Sequence, residues 1–185
     1  MKKRVSIITC ILMLWVLLSP IAARAATEAN DVAYILGMIE EIEMQDMLLA
    51  GLESIGEIII KNKLKDNDVA EDKKIIAENK KTILDSIEAT VNSANAMAEA
   101  CRATTNVVRG FSITNSGAKS AVLVFLNEMT IVYDLKSEKY RHLADAFKKG
   151  GIKSTDTSHD GAIGQHLVKA ATAYNQAKTL LGKTK

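Results

Sequence analysis

The segment LDSIEATVNSANAMAEACRATTNVV, residues 84–108, has the most regular hydrophobic pattern in the chain. Its apolar and small residues recur at alternating spacings of three and four over more than three heptads. This spacing is typical of a helix that packs along one face. The pattern predicts a packing seam, the helix-two seam, that consists of Leu84, Ile87, Val91, Ala94, Ala98, Cys101, Thr105 and Val108.

The flanking sequence predicts three further helices around the helix that carries this seam. Residues 28–63, 117–149 and 160–182 have apolar residues mostly three and four apart, and the seam itself lies in a predicted helix over 69–109. The apolar run 121–126 could also be a buried strand, but the chain offers no second strand candidate to pair with it. We therefore interpret that run as helix.

Capping signals give the expected boundaries of these helices. The triplet 66–68 reads as a turn that ends the first helix, and Asp68 with Glu71 fits a capping box for the second. Gly110 ends the second helix, and Asn115 or Ser116 is the expected N-cap of the third. The sequence thus predicts an all-α fold, an elongated up-down-up-down four-helix bundle.

The first 25 residues predict a cleavable signal peptide. Three basic residues at 2–4 precede the apolar stretch 5–18, and Ala23-Arg24-Ala25 forms the cleavage site. This apolar stretch is shorter than the roughly 20 residues that a membrane-spanning helix needs. We expect export to the periplasm, or alternatively to the extracellular space, and a single bundle domain over 26–185. The remaining alternative is that the leader is retained as an anchor.

Leader removal changes the charge and cysteine content. The leader holds four of the 24 basic residues and none of the 22 acidic ones, so the formal charge moves from +2 to −2. The mature chain is therefore not expected to bind nucleic acid, nor a membrane once the signal is cleaved. Of the two cysteines only Cys101 remains, which excludes an intrachain disulfide.

The first predicted helix has one unusual position. Asp46 lies on the apolar stripe, between Ile42 and Leu49. It could be a buried register or binding group, but a stripe that shifts around the helix at this point would leave it exposed, and we favour the exposed interpretation. Met44, Leu48 and Ile58 are expected to widen the stripe. The stripe itself is predicted to consist of Val32, Ile35, Ile39, Ile42, Leu49, Leu52, Ile55 and Ile59.

A loop before the fourth helix resembles the start of a calcium-binding loop. Asp156, Ser158 and Asp160 supply oxygen at the first, third and fifth positions, and Gly161 follows at the sixth. The twelfth position is Leu167 where a bidentate Glu is needed. We favour a helix-connecting loop in which Asp160 is the N-cap, and keep calcium as the alternative.

Other side chains with metal-binding chemistry are sparse. His142, His159 and His166 could meet Glu138 or Asp145 around a transition metal, but the chain has no Glu-x-x-His motif of the kind used in diiron bundles. The methionines of the first helix could bind Cu(I) in an exported protein. Without His or Cys nearby, a packing role explains them better.

No catalytic motif is present in the sequence. There is no Gly-x-Ser-x-Gly, and Cys101 and His142 share no known signature. We therefore expect a non-enzymatic exported helical-bundle protein, without a cofactor, that binds a protein partner or self-associates. The alternative is a periplasmic bundle that binds a small ligand or a metal ion. A cavity between the second and third helices, beside Ala94, Ala98 and Cys101, would favour that alternative.

Overall fold

A computed structural model describes residues 28–69, 72–149 and 159–183. Within these ranges the chain forms four helices and no strand, which confirms the all-α four-helix bundle. The predicted signal peptide, residues 1–25, lies outside the described residues. The helices are α1 (Glu28–Val69), α2 (Lys73–Gly110), α3 (Ser116–Lys148) and α4 (Asp160–Leu181).

The apolar run 121–126 lies within α3. Ala121, Val122, Phe125 and Leu126 are buried, whereas Val124 between them is exposed. This is the distribution expected for a helix that packs against neighbours on most of its circumference. The helical interpretation of the run is therefore correct.

The boundary between α1 and α2 differs from the prediction. The predicted turn at 66–68 is wrong, because α1 continues to Val69, with an ion pair of 3.4 Å between Lys63 and Asp66 one turn apart. Polar residues lower helix propensity by only a fraction of a kcal/mol each, and no Gly or Pro interrupts this stretch. The capping box is also wrong: Asp72 is the N-cap of α2, and its carboxylate accepts from the Lys74 N–H at 2.8 Å.

The other helix ends agree more closely with the sequence. Gly110 is the last residue of α2, and Asn115 caps α3 by accepting from the Ala118 N–H at 3.0 Å. The Asn115 amide also donates to the Leu180 carbonyl at 3.4 Å, which ties the start of α3 to the end of α4. At α4 the cap position belongs to His159, so Asp160 is the first helical residue and not the predicted N-cap.

Consecutive helices pack side by side in opposite directions. Along the α2–α3 interface, Arg102 of α2 pairs with Asp134 of α3, and Ser137 of α3 donates a hydrogen bond to Asn95 of α2. The contacts thus move toward the N-terminus of α2 as they move toward the C-terminus of α3. The central helix α3 packs most extensively, against α2 on one side and α4 on the other. By contrast, α1 packs against α2 and touches α4 only slightly, which leaves a groove between α1 and α4.

The core divides into two parts because the helices differ in length. α4 has 22 residues and α3 has 33, so the last turns of α3 extend beyond α4 and pack only against α1 and α2. The larger part of the core draws on all four helices. The smaller, three-helix part contains Ile60, Ile83, Ile87, Tyr140, Leu143 and Phe147.

The helix-two seam faces this core but is narrower than the buried face of α2. Because α2 packs against both α1 and α3, the positions beside the seam are enclosed as well. Five seam residues are buried: Ile87, Ala94, Ala98, Cys101 and Val108. Leu84, Val91 and Thr105 are half-buried, and the buried face also includes Ile83, Thr90, Met97 and Thr104. Across the described ranges, no helix has the length and apolar character that crossing a bilayer requires.

Candidate functional site

The most unusual surface of the molecule lies on α1, mostly on the side that faces away from the other helices; Met47, at the edge of this surface, also borders the groove between α1 and α4. Five large apolar side chains there are between 45 and 68% exposed. At 3.6 residues per turn they and one exposed glycine fall within an arc of about 100°, opposite the buried residues Ile35 and Leu49. We call this set the outward stripe: Met44, Met47, Leu48, Gly51, Ile55 and Ile58.

The outward stripe corrects two expectations from the sequence. Ile55 was expected in the core, and Met44, Leu48 and Ile58 were expected to widen the core face; all four side chains are exposed instead. The physical reason is that α1 carries apolar residues on two opposite faces, of which the bundle covers only one. Contiguous apolar surface of this kind is rare on soluble monomers and typically marks an interaction site.

The ends of the outward stripe carry opposite charges. Residues 28–60 hold eight acidic side chains and no basic one, whereas three lysines occur within 61–65. Glu40 and Glu43 are exposed beside the N-terminal end of the stripe, and Lys61 lies exposed beyond its C-terminal end. The stripe is therefore an apolar strip between an acidic end and a basic end.

Gly51 occupies the middle of the outward stripe. A Cβ atom at this position would meet no other part of the described chain within 4 Å, so nothing within the bundle requires a glycine here. In a helix interior a glycine is less favourable than alanine by about 1 kcal/mol. Its presence allows another backbone to approach α1 closely at this point.

A polar cluster lies on the opposite, inner face of α1. Lys136 of α3 has a side chain only 9% exposed, and its Nζ is 3.0 Å from Glu53 Oε2 and 3.6 Å from Asp46 Oδ1. Asp46 is thus half-buried and paired, and the expectation that it is exposed is wrong. The apolar stripe does not shift around α1 at this position; a lysine from α3 compensates the carboxylate instead.

The Tyr133 hydroxyl and the Cys101 thiol are buried near this polar cluster, and both are in their neutral, protonated forms. The Tyr133 hydroxyl forms no hydrogen bond of standard geometry among the residues described. Burial, followed by its interaction with Asp46, raises the pKa of Tyr133. Burial is also the main cause that raises the pKa of the Cys101 thiol to about 12. Since the thiolate is the nucleophilic form, the Cys101 thiol is unreactive at neutral pH.

A cavity of about 400 Å³ borders Cys101 on the side of α1. Its lining includes Tyr34, Gly37 and Met38 from α1 and Met97 from α2. A ligand cavity was expected between α2 and α3 beside Ala94 and Ala98, but both of these residues are fully buried. The small-ligand alternative stays a prediction, and this α1–α2 cavity is where it would apply.

The predicted calcium-loop residues are only partly covered by the structure. Asp156 and Ser158 lie outside the described residues. Asp160 is described, and its carboxylate accepts a hydrogen bond of 2.7 Å from the Lys139 ammonium. Calcium binding therefore stays a prediction.

The predicted histidine set is brought together in part. The ring centroids of His142 and His159 lie 5.4 Å apart, and both side chains are within 4 Å of Glu138. His166 lies two turns further along α4 and pairs with Glu128 of α3 instead. In the portion of the chain that the structure describes, no three His, Cys, Asp or Glu side chains are arranged to hold a metal ion.

Comparisons with protein-family models, with curated proteins and with solved structures found no match to this chain.

Proposed function

We propose that this chain is a non-enzymatic binding protein whose outward stripe on α1 docks an apolar helix face of another protein chain. The observation that supports the proposal is the stripe itself, five large exposed apolar side chains along one side of a helix whose opposite side forms the core. Burying such surface is the main source of free energy in protein association.

The spacing of the stripe favours a helix as the docked element. Met44, Leu48, Gly51, Ile55 and Ile58 follow one another at steps of four, three, four and three. This is the heptad spacing through which helices pack knobs into holes. The stripe spans 15 residues from Met44 to Ile58, or about 21 Å at a rise of 1.5 Å per residue, which is about four turns of a partner helix.

The chemistry of the interior supports a role without catalysis. The Cys101 thiol and the Tyr133 hydroxyl are held in their neutral forms, and the buried Lys136 is paired with two carboxylates. None of these groups is poised to transfer a proton or to attack a substrate. Export is also part of the proposal, on the basis of the leader-like sequence of residues 1–25.

The test is site-specific photo-crosslinking in cells that express the full coding sequence. A photoreactive residue at Ile55 samples the stripe, and the same residue at Val168, which is 69% exposed on α4, is the matched control. We expect a discrete adduct from position 55 that the double variant Leu48→Glu, Met44→Glu abolishes, and none from position 168. Mass spectrometry of the adduct identifies the docked segment. The proposal fails if position 55 gives no adduct, or if both positions give the same ones.

A further inference from the structure

We infer that the partner of the outward stripe is a second copy of this chain, and that the two α1 helices pack antiparallel about a two-fold axis beside Gly51. The inference rests on the proposed function and names its partner. A two-fold interface uses the same surface on both subunits, so that surface must be complementary to itself. The outward stripe meets this condition in its apolar residues, in its charges and in its glycine.

Four of the five large apolar residues are placed symmetrically around Gly51, whereas Leu48 has Ser54 at the matching position. Met44 and Ile58 lie seven residues before and after it, and Met47 and Ile55 lie four residues before and after it. When two α1 helices pack antiparallel with their Gly51 residues opposite, Met44 of each copy faces Ile58 of the other, and Met47 faces Ile55. Every large side chain at these positions therefore meets an apolar side chain of the other copy.

The charges favour the antiparallel direction over the parallel one. In a parallel pair, the exposed Glu40 and Glu43 would face the same carboxylates of the other copy, and like charges at such positions are destabilising. In the antiparallel pair, Glu40 lies eleven residues before Gly51 and Lys61 lies ten after it, so each faces its opposite in the other copy. Both ends of the interface then carry an ion pair.

Gly51 at the centre allows the two helices to come close where they cross. The distance between packed helices depends on the side chains at the contact, and it is shortest where these are small. Because a Cβ at Gly51 would meet nothing in the described bundle, the glycine has no packing role within one copy. A close crossing of two α1 helices supplies the role.

Disulfide trapping tests this geometry, with Cys101→Ala in every variant so that the introduced cysteine is the only thiol of the bundle. We expect Gly51→Cys to form a disulfide-linked dimer under mild oxidation. Met44→Cys and Ile58→Cys should form one only when the two variants are mixed, because in an antiparallel pair identical positions seven residues from the axis are about 21 Å apart. Val168→Cys is the matched control and should stay monomeric.

Light scattering of the unmodified protein over a range of concentrations completes the test, and dimer mass is the expected result. Monomer mass at every concentration would overturn the inference, and so would a disulfide dimer from Ile58→Cys alone, which indicates parallel packing. A monomer that still gives a photo-adduct with a different protein at position 55 refutes the second copy but leaves the proposed function standing. Absence of both dimer and adduct refutes both.

Discussion

Lys136 of α3 and Glu53 of α1 form an ion pair of 3.0 Å across the bundle, and the lysine side chain is almost closed to solvent. The pair joins the acidic N-terminal half of the chain to its more basic C-terminal half. It crosses the core between α1 and α3, two helices that both pack against α2 rather than closely against each other, and it lies on the inner side of α1. The same helix thus makes a charged contact on its inner side and exposes the outward stripe on the other.

Replacing Lys136 by alanine should destabilise the bundle strongly. The change leaves Glu53 and Asp46 facing the interior without their cation. We expect a loss of about 2–3 kcal/mol, less than for a fully buried pair because both carboxylates keep some contact with water. Urea denaturation followed by circular dichroism measures it. The control is Arg102→Ala, whose partner Asp134 is half exposed, with an expected loss below about 1 kcal/mol. Equal losses would contradict a special role for the Lys136 pair.

Lys136 also marks the limit of what the sequence could predict. It occupies a core position of α3, four residues after Val132 and four before Tyr140, both of which are buried. A lysine on an apolar stripe is a signal that a carboxylate lies opposite, but the periodicity does not say on which helix. Asp46 gave the matching signal on α1, and only the packing of α1 and α3 against the same helix, α2, brings the two together.

The helices and their order followed from local patterns, because spacing, caps and glycines act within a few residues. The outward stripe did not, since Met44, Leu48, Ile55 and Ile58 have the same composition as the core face. Which of two apolar faces becomes covered depends on the number and lengths of the neighbouring helices. A helix that is apolar on opposite sides is nevertheless a signal of a second contact, and the sequence contained it.

Replacing Tyr133 by phenylalanine should stabilise the protein. The Tyr133 hydroxyl is buried and forms no hydrogen bond of standard geometry within the described part of the chain, although it interacts with Asp46, which adds to burial in raising its pKa. Because this interaction does not fully replace water, removal of the hydroxyl relieves a net desolvation penalty while the ring keeps its packing. We expect a gain of about 1 kcal/mol. Tyr174→Phe is the control with the opposite sign, because Tyr174 donates a hydrogen bond of 2.6 Å to Glu43. Thermal and urea unfolding of both variants give the comparison, and a destabilised Tyr133→Phe would contradict the expectation.

The stability of the protein should fall at alkaline pH because of Cys101. Burial raises the pKa of this thiol from 9.0 to about 12 in the folded chain. Between these values the unfolded chain has released a proton that the folded chain still binds, so the free energy of unfolding decreases as pH rises. From pH 8 to pH 10 the decrease should be about 1.4 kcal/mol, the equivalent of one pKa unit.

Urea denaturation at pH 8, 9 and 10 measures this decrease. Cys101→Ala is the matched variant: it removes the thiol, and its stability should change much less over the same range. Tyr133 and Tyr140, whose pKa values burial raises from 10.0, already add about 0.4 kcal/mol each to the decrease at pH 10, because half of each group is ionised in the unfolded chain at that pH. The Cys101→Ala variant keeps this smaller decrease, so the contribution of the thiol is the difference between the two proteins. A wild-type protein whose stability is as independent of pH as that of the variant would show that the thiol is accessible to solvent.

Reversal of the charges at the ends of the outward stripe tests the direction of the proposed dimer. Glu40→Lys or Lys61→Glu alone places like charges at both ends of an antiparallel pair, and we expect each to weaken dimerisation about 3- to 10-fold at low salt, as for other exposed pairs. The double variant restores opposite charges at both ends and should dimerise like the wild type. Glu78→Lys on α2, outside the stripe, should have no effect.

Sedimentation equilibrium measures the dimer affinities of these variants. The differences between them should shrink at about 0.5 M salt, because screening is then nearly complete over the distance of a surface pair. In a parallel dimer each charge faces its own copy, so neither single variant would create a new mismatch and the double variant would restore nothing.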